Sequence, residues 1–309
     1  MTFYFNHPSC PQELHILEVL KRRFSLTPDS SRLYHSLKKG YDGETKWHKL
    51  LKRELTSNCI VLYDLLLDRS DSLFQLDCII IQQRVIWHLE IKNYEGDFIM
   101  KNEKMYKLPG EHEVNNPLNQ IERGQRLMGD LLKIHAFHFP IKSYVIFVHS
   151  EFSLYQLQRH MPIILPTQIN QFITGINQTP SKMNTTHNRL ANQLWSLRVS
   201  RSLSNRLPKY EFDQLKKGIP CIECNGWMVA GGVHGKSLLC DTCGKSESRE
   251  SAILRSVCDF HLLFPSVKIT TDIIWKWINE TLSKYKIRKT LSQFLIPQGA
   301  RTNQSYIFY

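Results

Sequence analysis

At 309 residues the chain is longer than the ~100 to 200 residues of one ordinary domain, so two or three compact units are expected. An apolar fraction of 42% with 22% charged residues excludes extended disorder and fibrous repeats. The net charge of +12 is uneven: residues 1–179 hold 21 Lys/Arg against 19 Asp/Glu, and residues 180–309 hold 19 against 9. A polyanion such as nucleic acid suits that second segment, with solubility charge as the plainer alternative.

The N-terminus lacks a basic stretch followed by an apolar one, and no segment approaches the ~20 apolar residues of a membrane span. A cytoplasmic protein without membrane association is expected. There, the four of the eight cysteines that sit in two Cys-x-x-Cys pairs favour metal binding over cross-linking, and Cys10, Cys59, Cys78 and Cys258 read as free thiols.

Leu14, Leu17, Leu20 and Phe24 stand at helical spacing, and residues 28–31 read as a break. A second helix is expected after the turn Gly40-Tyr41-Asp42-Gly43, capped by Asp42. Trp47, Leu51 and Leu55 form its apolar stripe, with Glu44 on the same side. Three apolar runs, residues 59–67, 73–81 and 84–92, predict adjacent strands, the last two joined through Gln82-Gln83. Residues 93–110 read as a polar excursion. Asn116 and Pro117 then supply an N-cap and a first-turn proline for a helix to about His135, and residues 143–149 predict a buried strand.

In the third strand, side chains alternate faces, so Val85, Trp87, Leu89 and Ile91 point one way while Glu90 and Lys92 share the other. A carboxylate and an ammonium so placed suit metal-assisted hydrolysis: the acid holds a divalent cation, and the lysine orients water and stabilises developing charge. An exposed ion pair is the alternative. Asp77, however, interrupts an apolar strand, Glu44 interrupts a helix stripe, and Gln120 opens the helix behind Asn116-Pro117. Polar groups where apolar ones are expected point to a site.

These segments resemble the NERD (nuclease-related) domain of the PD-(D/E)xK nuclease superfamily, in the form found in Gram-positive bacilli. The resemblance rests on Gly40-Tyr41-Asp42-Gly43-Glu44, Phe74-Gln75-Leu76-Asp77, Leu89-Glu90-Ile91-Lys92-Asn93-Tyr94-x-Gly96-Asp97, Asn116-Pro117-Leu118-x-Gln120 and Val145-Ile146-Phe147-Val148, in that order. It implies a restriction-endonuclease-like α/β core of helix, three strands, helix and strand. It further implies that Asp77 and Glu90 bind Mg²⁺ or Mn²⁺, that Lys92 serves the attacking water, and that Glu44 and Gln120 complete the catalytic set. The implied activity is phosphodiester hydrolysis. A non-catalytic DNA-binding or regulatory protein that retains the fold is the alternative.

Cys221-Ile-Glu-Cys224 and Cys240-Asp-Thr-Cys243, 15 residues apart, have the spacing of a structural four-thiolate Zn²⁺ site. A zinc ribbon is expected there, with His234 in its hairpin and not among the ligands. Such ribbons also serve as protein-interaction modules. Residues 253–264, 271–281 and 285–294 predict three short helices, followed by a strand or wing. These weakly resemble a helix-turn-helix unit, in which Lys284, Lys286, Arg288, Lys289 and Arg301 would contact nucleic acid. A helical cap on the ribbon with a solvated basic face is equally consistent. The expected organisation is thus an N-terminal helical extension (1–35), the nuclease-like domain (36–165), a basic helical connector (166–217), the zinc ribbon (218–248) and the small helical unit (249–309).

Overall fold

A computed structural model describes the chain except residues 70–71, 201–202, 204–205, 225, 232–236, 300–303 and 309. In order, the elements are β1 (Phe3–Tyr4), α1 (Gln12–Arg23), α2 (Pro28–Glu54), β2 (Ile60–Arg69), β3 (Ser72–Gln82), β4 (Val85–Lys92), β5 (Gly96–Lys101), β6 (Lys104–Lys107), β7 (His112–Val114), α3 (Pro117–Ile134), β8 (Ile141–Phe147), β9 (Phe152–Tyr155) and β10 (Ile163–Ile164). After them come α4 (Ile169–Gln178), α5 (Thr185–Ser196), β11 (Met228–Ala230), β12 (Ser237–Cys240), β13 (Ser246–Ser248), α6 (Arg249–Leu263), α7 (Thr271–Trp277), α8 (Lys284–Phe294), β14 (Ile296–Gln298) and β15 (Ser305–Ile307). The fold is mixed α/β, and the chain divides into two compact units. One holds Met1–Pro11 and His35–Leu203; the other holds Gln12–Tyr34 and Ser204–Tyr309. Among the described residues no helix is long and apolar enough to cross a membrane.

The first unit is built on a six-stranded sheet, order β1-β2-β3-β4-β8-β10. The β2-β3-β4 meander is antiparallel, and β8 lies parallel to β4 on its other side. A central strand with neighbours on both edges and apolar cover on both faces should be hydrophobic throughout. In β4, seven of eight residues are buried, and the polar His88 and Glu90 among them depart from that rule. On one face Trp47, Leu51 and Leu55 of α2 and Ile169, Ile173 and Ile176 of α4 pack on Val61, Tyr63, Cys78, Trp87 and Leu89. On the other, Leu127, Met128, Leu131 and Leu132 of α3 and Leu190, Ala191 and Leu194 of α5 cover Leu62, Leu76, Ile79 and Ile86. Each fully buried large side chain contributes about 1.5 to 3 kcal/mol, so truncating Leu51 to Ala at the α2 contact would cost ~2 to 5 kcal/mol.

Two expectations for this unit are corrected. The helix does not start after Gly40-Tyr41-Asp42-Gly43: α2 runs unbroken from Pro28 to Glu54, through those glycines. Thr27 caps it, its Oγ1 accepting from the Ser30 amide at 3.2 Å, and Pro28 occupies the first turn, where no amide donor is missed. Residues 28–31 therefore begin a helix instead of breaking one, and Asp42 lies inside it, ion-paired with Lys38 at 3.0 Å. The polar excursion at 93–110 is likewise structured. It supplies β5 and β6 of a second, four-stranded sheet, order β7-β6-β5-β9, whose core is Phe98, Met100, Met105, Phe147 and Phe152 with Ile121 of α3.

In the second unit a three-stranded antiparallel sheet, β11-β12-β13, and a two-stranded hairpin, β14-β15, accompany α6, α7 and α8. One continuous core joins Leu215, Ile219, Met228 and Leu238 to Phe260, Trp277, Ile287 and Leu291, and includes Ile16, Val19 and Leu20 of α1. The N-terminal helix therefore belongs to this core, while α4 and α5, from the expected connector, bury their apolar faces in the first unit.

Candidate active site and metal centre

The β3-β4 register sets Cys78 opposite Leu89, which brings the preceding residue, Asp77, opposite Glu90. Strand alternation sends Trp87, Leu89 and Ile91 into the α2 side of the core and His88, Glu90 and Lys92 to the α3 side. Glu90 is 1% exposed and Asp77 8%. Lys92 Nζ donates to Glu90 Oε1 at 2.7 Å and to Gln120 Oε1 at 3.0 Å. Asp77 Oδ2 accepts from the Ile91 amide at 2.9 Å. Asp77, Glu90, Lys92 and Gln120 are thereby brought together.

Helix α3 delivers Gln120 through its N-terminus. Asn116 caps the helix, its Oδ1 accepting from the Leu118 amide at 3.0 Å, and its Nδ2 donates to Glu103 O at 2.6 Å. One turn beyond Gln120, a side chain at Gly124 would meet His88 Cε1 at 2.7 Å, so the glycine lets α3 lie directly over β4. Helix α2 docks in the same manner. A Cβ on Gly43 would stand 2.6 Å from Asn93 Cβ, and Asn93 Nδ2 donates to Lys39 O at 2.9 Å. Glu44, half-buried, follows that contact and exerts its charge on the Cys78 thiol, beside Asp77. Among the described residues, the four cysteines are the one group of three or more His, Cys, Asp or Glu side chains that could hold a metal ion.

Burial, then the neighbouring Asp77, pushes the Glu90 carboxyl up to about 8 against the pull of Lys92. Burial alone would lower Lys92, but Glu90 and Asp77 outweigh it and raise its pKa, so the side chain is an ammonium at neutral pH. Glu90 Oε2 is buried with no hydrogen-bond partner. Two carboxyl groups within reach of each other, one with an orphaned oxygen, make an electrostatic arrangement that a hard divalent cation would relieve; the donor set fits Mg²⁺ or Mn²⁺.

Sequence reasoning missed two contributors. His88 shares the face of Glu90 and Lys92, its Nδ1 3.2 Å from Ser143 Oγ, and burial holds its pKa down to about 4. The alternation that paired Glu90 with Lys92 already placed it there. Asn93 lay within a recognised segment, but its role in holding α2 depends on contact with Gly43, which no local pattern shows.

In the second unit, the four cysteine sulfurs lie within 4.8 Å of one another, with Cys221–Cys243 at 3.7 Å and Cys224–Cys240 at 3.5 Å. Thiolates ~2.3 Å from a tetrahedral Zn²⁺ would be separated by roughly 3.8 Å, so the group can hold zinc almost without rearrangement. Backbone amides of Glu223, Gly226 and Thr242 point at Cys221, Cys224 and Cys240 sulfurs at 3.4, 3.3 and 3.4 Å. Such donors support thiolate charge. The two turns abut: a Cβ on Gly226 would lie 2.7 Å from Asp241 Oδ1, and the Trp227 amide donates to that oxygen at 2.9 Å. Gly244 adopts φ +71°, where glycine is favoured.

Lys284, Lys286, Arg288 and Lys289 all lie on α8. Arg301 and His234 lie outside the described residues.

Residues 39–148 match the family model of the nuclease-related domain, NERD, a span containing Glu44, Asp77, Glu90, Lys92 and Gln120. Comparison with curated proteins and with solved structures finds no match.

Proposed function

We propose that the nuclease-related domain is a divalent-metal-dependent nuclease of the PD-(D/E)xK type, hydrolysing phosphodiester bonds in DNA. The observation that carries this reading is the buried, unpartnered Glu90 Oε2 beside Asp77, with the Lys92 ammonium tethered at the rim by Glu90 and Gln120. Asp77 and Glu90 would hold Mg²⁺ or Mn²⁺. When bound, that cation would supply Lewis-acid polarisation of the phosphate and a more acidic water.

The chain's own groups divide the remaining work. Lys92, 19% exposed, can donate toward an incoming water or a phosphate oxygen and offset charge that grows in the transition state. Gln120 fixes the direction of Lys92 by accepting one of its protons. Asp77 is oriented by the Ile91 amide, so one carboxylate oxygen is committed to the backbone. Glu44 serves from α2 as a water-positioning partner. The four cysteines hold structural Zn²⁺ in a zinc ribbon, since four thiolates leave no coordination position for substrate.

The deciding experiment incubates the zinc-loaded protein with single-stranded, duplex and branched DNA in Mg²⁺ or Mn²⁺. Metal-dependent cleavage that disappears in Lys92→Ala is the expected result. Cleavage unaffected by that change would remove this site from the reaction. Salt-sensitive binding without turnover in either metal would replace the nuclease by a binding protein that keeps the fold.

A further inference from the structure

The last part of the second unit contains more than a helical cap. Between α6 and α7 the chain runs extended through Ile269, which pairs with Tyr306 of β15; the Tyr306 amide donates to Ile269 O at 2.9 Å. Because β15 also pairs antiparallel with β14, the described elements run helix, strand position, helix, helix, strand, strand, with β15 between the other two strand segments. From these placements we infer that α6, α7 and α8 with β14 and β15 form a winged helix-turn-helix unit whose α8 enters the major groove of duplex DNA.

The internal packing fixes which face α8 offers. Ile253, Val257 and Phe260 of α6, Ile274 and Trp277 of α7, and Ile287 and Leu291 of α8 are all buried in one core. Trp277 Nε1 donates to Ser256 O at 3.0 Å, tying α7 to α6. The turn into α8 uses Asn279 and Glu280 at φ 53° and 58°, and Ser283 caps the helix. With Ile287, Thr290 and Leu291 inward, Lys284, Tyr285, Arg288 and Lys289 are left facing solvent, Tyr285 at 75% exposure.

Charge identifies the occupant. Residues 281–309 contain five Lys/Arg and no Asp or Glu. Asp272 of α7 is ion-paired with Lys284 at 2.6 Å and also lies within electrostatic reach of Lys276 and Arg288. Arg288 and Lys289 remain a turn further along with no carboxylate of their own segment to neutralise them. A helix of 11 residues is about 16 Å long and fits a major groove ~12 Å wide. A convex helical face suits the major groove of a duplex better than it suits a single strand, which is gripped in a concave groove.

This surface assigns a substrate class, duplex DNA, to the nuclease reading and rests on it only for that link. Binding is measured at equilibrium without divalent cation, whereas cleavage tests Lys92, so either can fail alone. The full-length, zinc-loaded protein is titrated into a fluorescent duplex of about 25 base pairs, then into the matching single strand and duplex RNA, over a range of salt. Duplex DNA is expected to bind at least ~10-fold tighter than the other two. In Arg288→Ala/Lys289→Ala the dependence of log K on log salt should flatten by about 2, because each of the two side chains neutralises about one phosphate. In the unaltered protein, duplex DNA should slow amide exchange in α8, a readout independent of how the variant folds. Equal affinity for single strand or duplex RNA, an unchanged salt slope in a folded variant, or no protection of α8 would overturn the inference.

Discussion

Asp77 and Glu90 meet across two long strands inside a six-stranded sheet, whereas the four cysteines sit on two short turns joined by a small three-stranded sheet. The carboxylates are placed by a hydrophobic core that exists without them, since Leu62, Leu76, Ile79 and Ile86 pack against α3 and α5 whatever occupies position 90. The thiols are themselves part of the core that holds them, with Cys221 and Cys240 buried among Met228, Leu238 and Ala252. The first arrangement leaves an oxygen unused and invites exchange of ligands. The second gathers four sulfurs and their supporting amides into a closed set. A cation at the first should be a removable reagent, and at the second a part of the fold.

The strongest way to break this contrast is to withdraw zinc. Apparent binding energies of structural zinc reach ~10 to 16 kcal/mol, so Cys240→Ser or a strong chelator should unfold the second unit. Loss of the near-ultraviolet signal of buried Trp277 would report it, and mass spectrometry should find one zinc per folded chain. A chelated protein that melts unchanged would end the structural role. Next in size is Lys92→Ala, for which a ~10²- to 10³-fold drop in cleavage rate is expected from the loss of one preorganised charge. Circular dichroism should show the fold retained.

Manganese supplies a smaller effect on stability. At about 100 times its dissociation constant it should stabilise the native protein by ~2.7 kcal/mol, seen as a higher Tm. Asp77→Asn should abolish that rise while its side-chain oxygen can still accept from Ile91. A metal-dependent rise that survives the substitution would place the cation elsewhere. Gly43→Ala should cost roughly 1 to 3 kcal/mol by forcing α2 away from Asn93; unaltered stability would mean the helix contact is slack. Gln120→Ala, at an exposed position, should change stability by less than ~1 kcal/mol. Its expected signature is a few-fold loss of rate through a less constrained Lys92.

Much of this was legible because the signals were local. Two Cys-x-x-Cys pairs announce a ligand set by spacing, Asn116-Pro117 announces a helix start, and a two-residue period puts Glu90 and Lys92 on one face. What escaped depends on contacts distant in sequence. Gly40 and Gly43 read as a turn because their intrinsic preference is against helix. Only the 2.6 Å approach to Asn93 explains why a helix keeps a glycine there. Residues 96–107 looked like a polar loop because the apolar positions of β5 and β6 are few, and their partners Phe147 and Phe152 come some fifty residues later. The membership of α1 in the second unit was hidden for the same reason.

The bond from Asn116 Nδ2 to Glu103 O ties the tip of the β5-β6 hairpin to the first turn of α3, and so to Gln120 and Lys92. The second sheet therefore acts as an adjusting screw for the lysine without touching either carboxylate. Lengthening, shortening or nicking the 102–103 turn should retune the rate while leaving metal affinity alone. Variation in that hairpin is a means by which the same pair of acids could be matched to substrates of different shape.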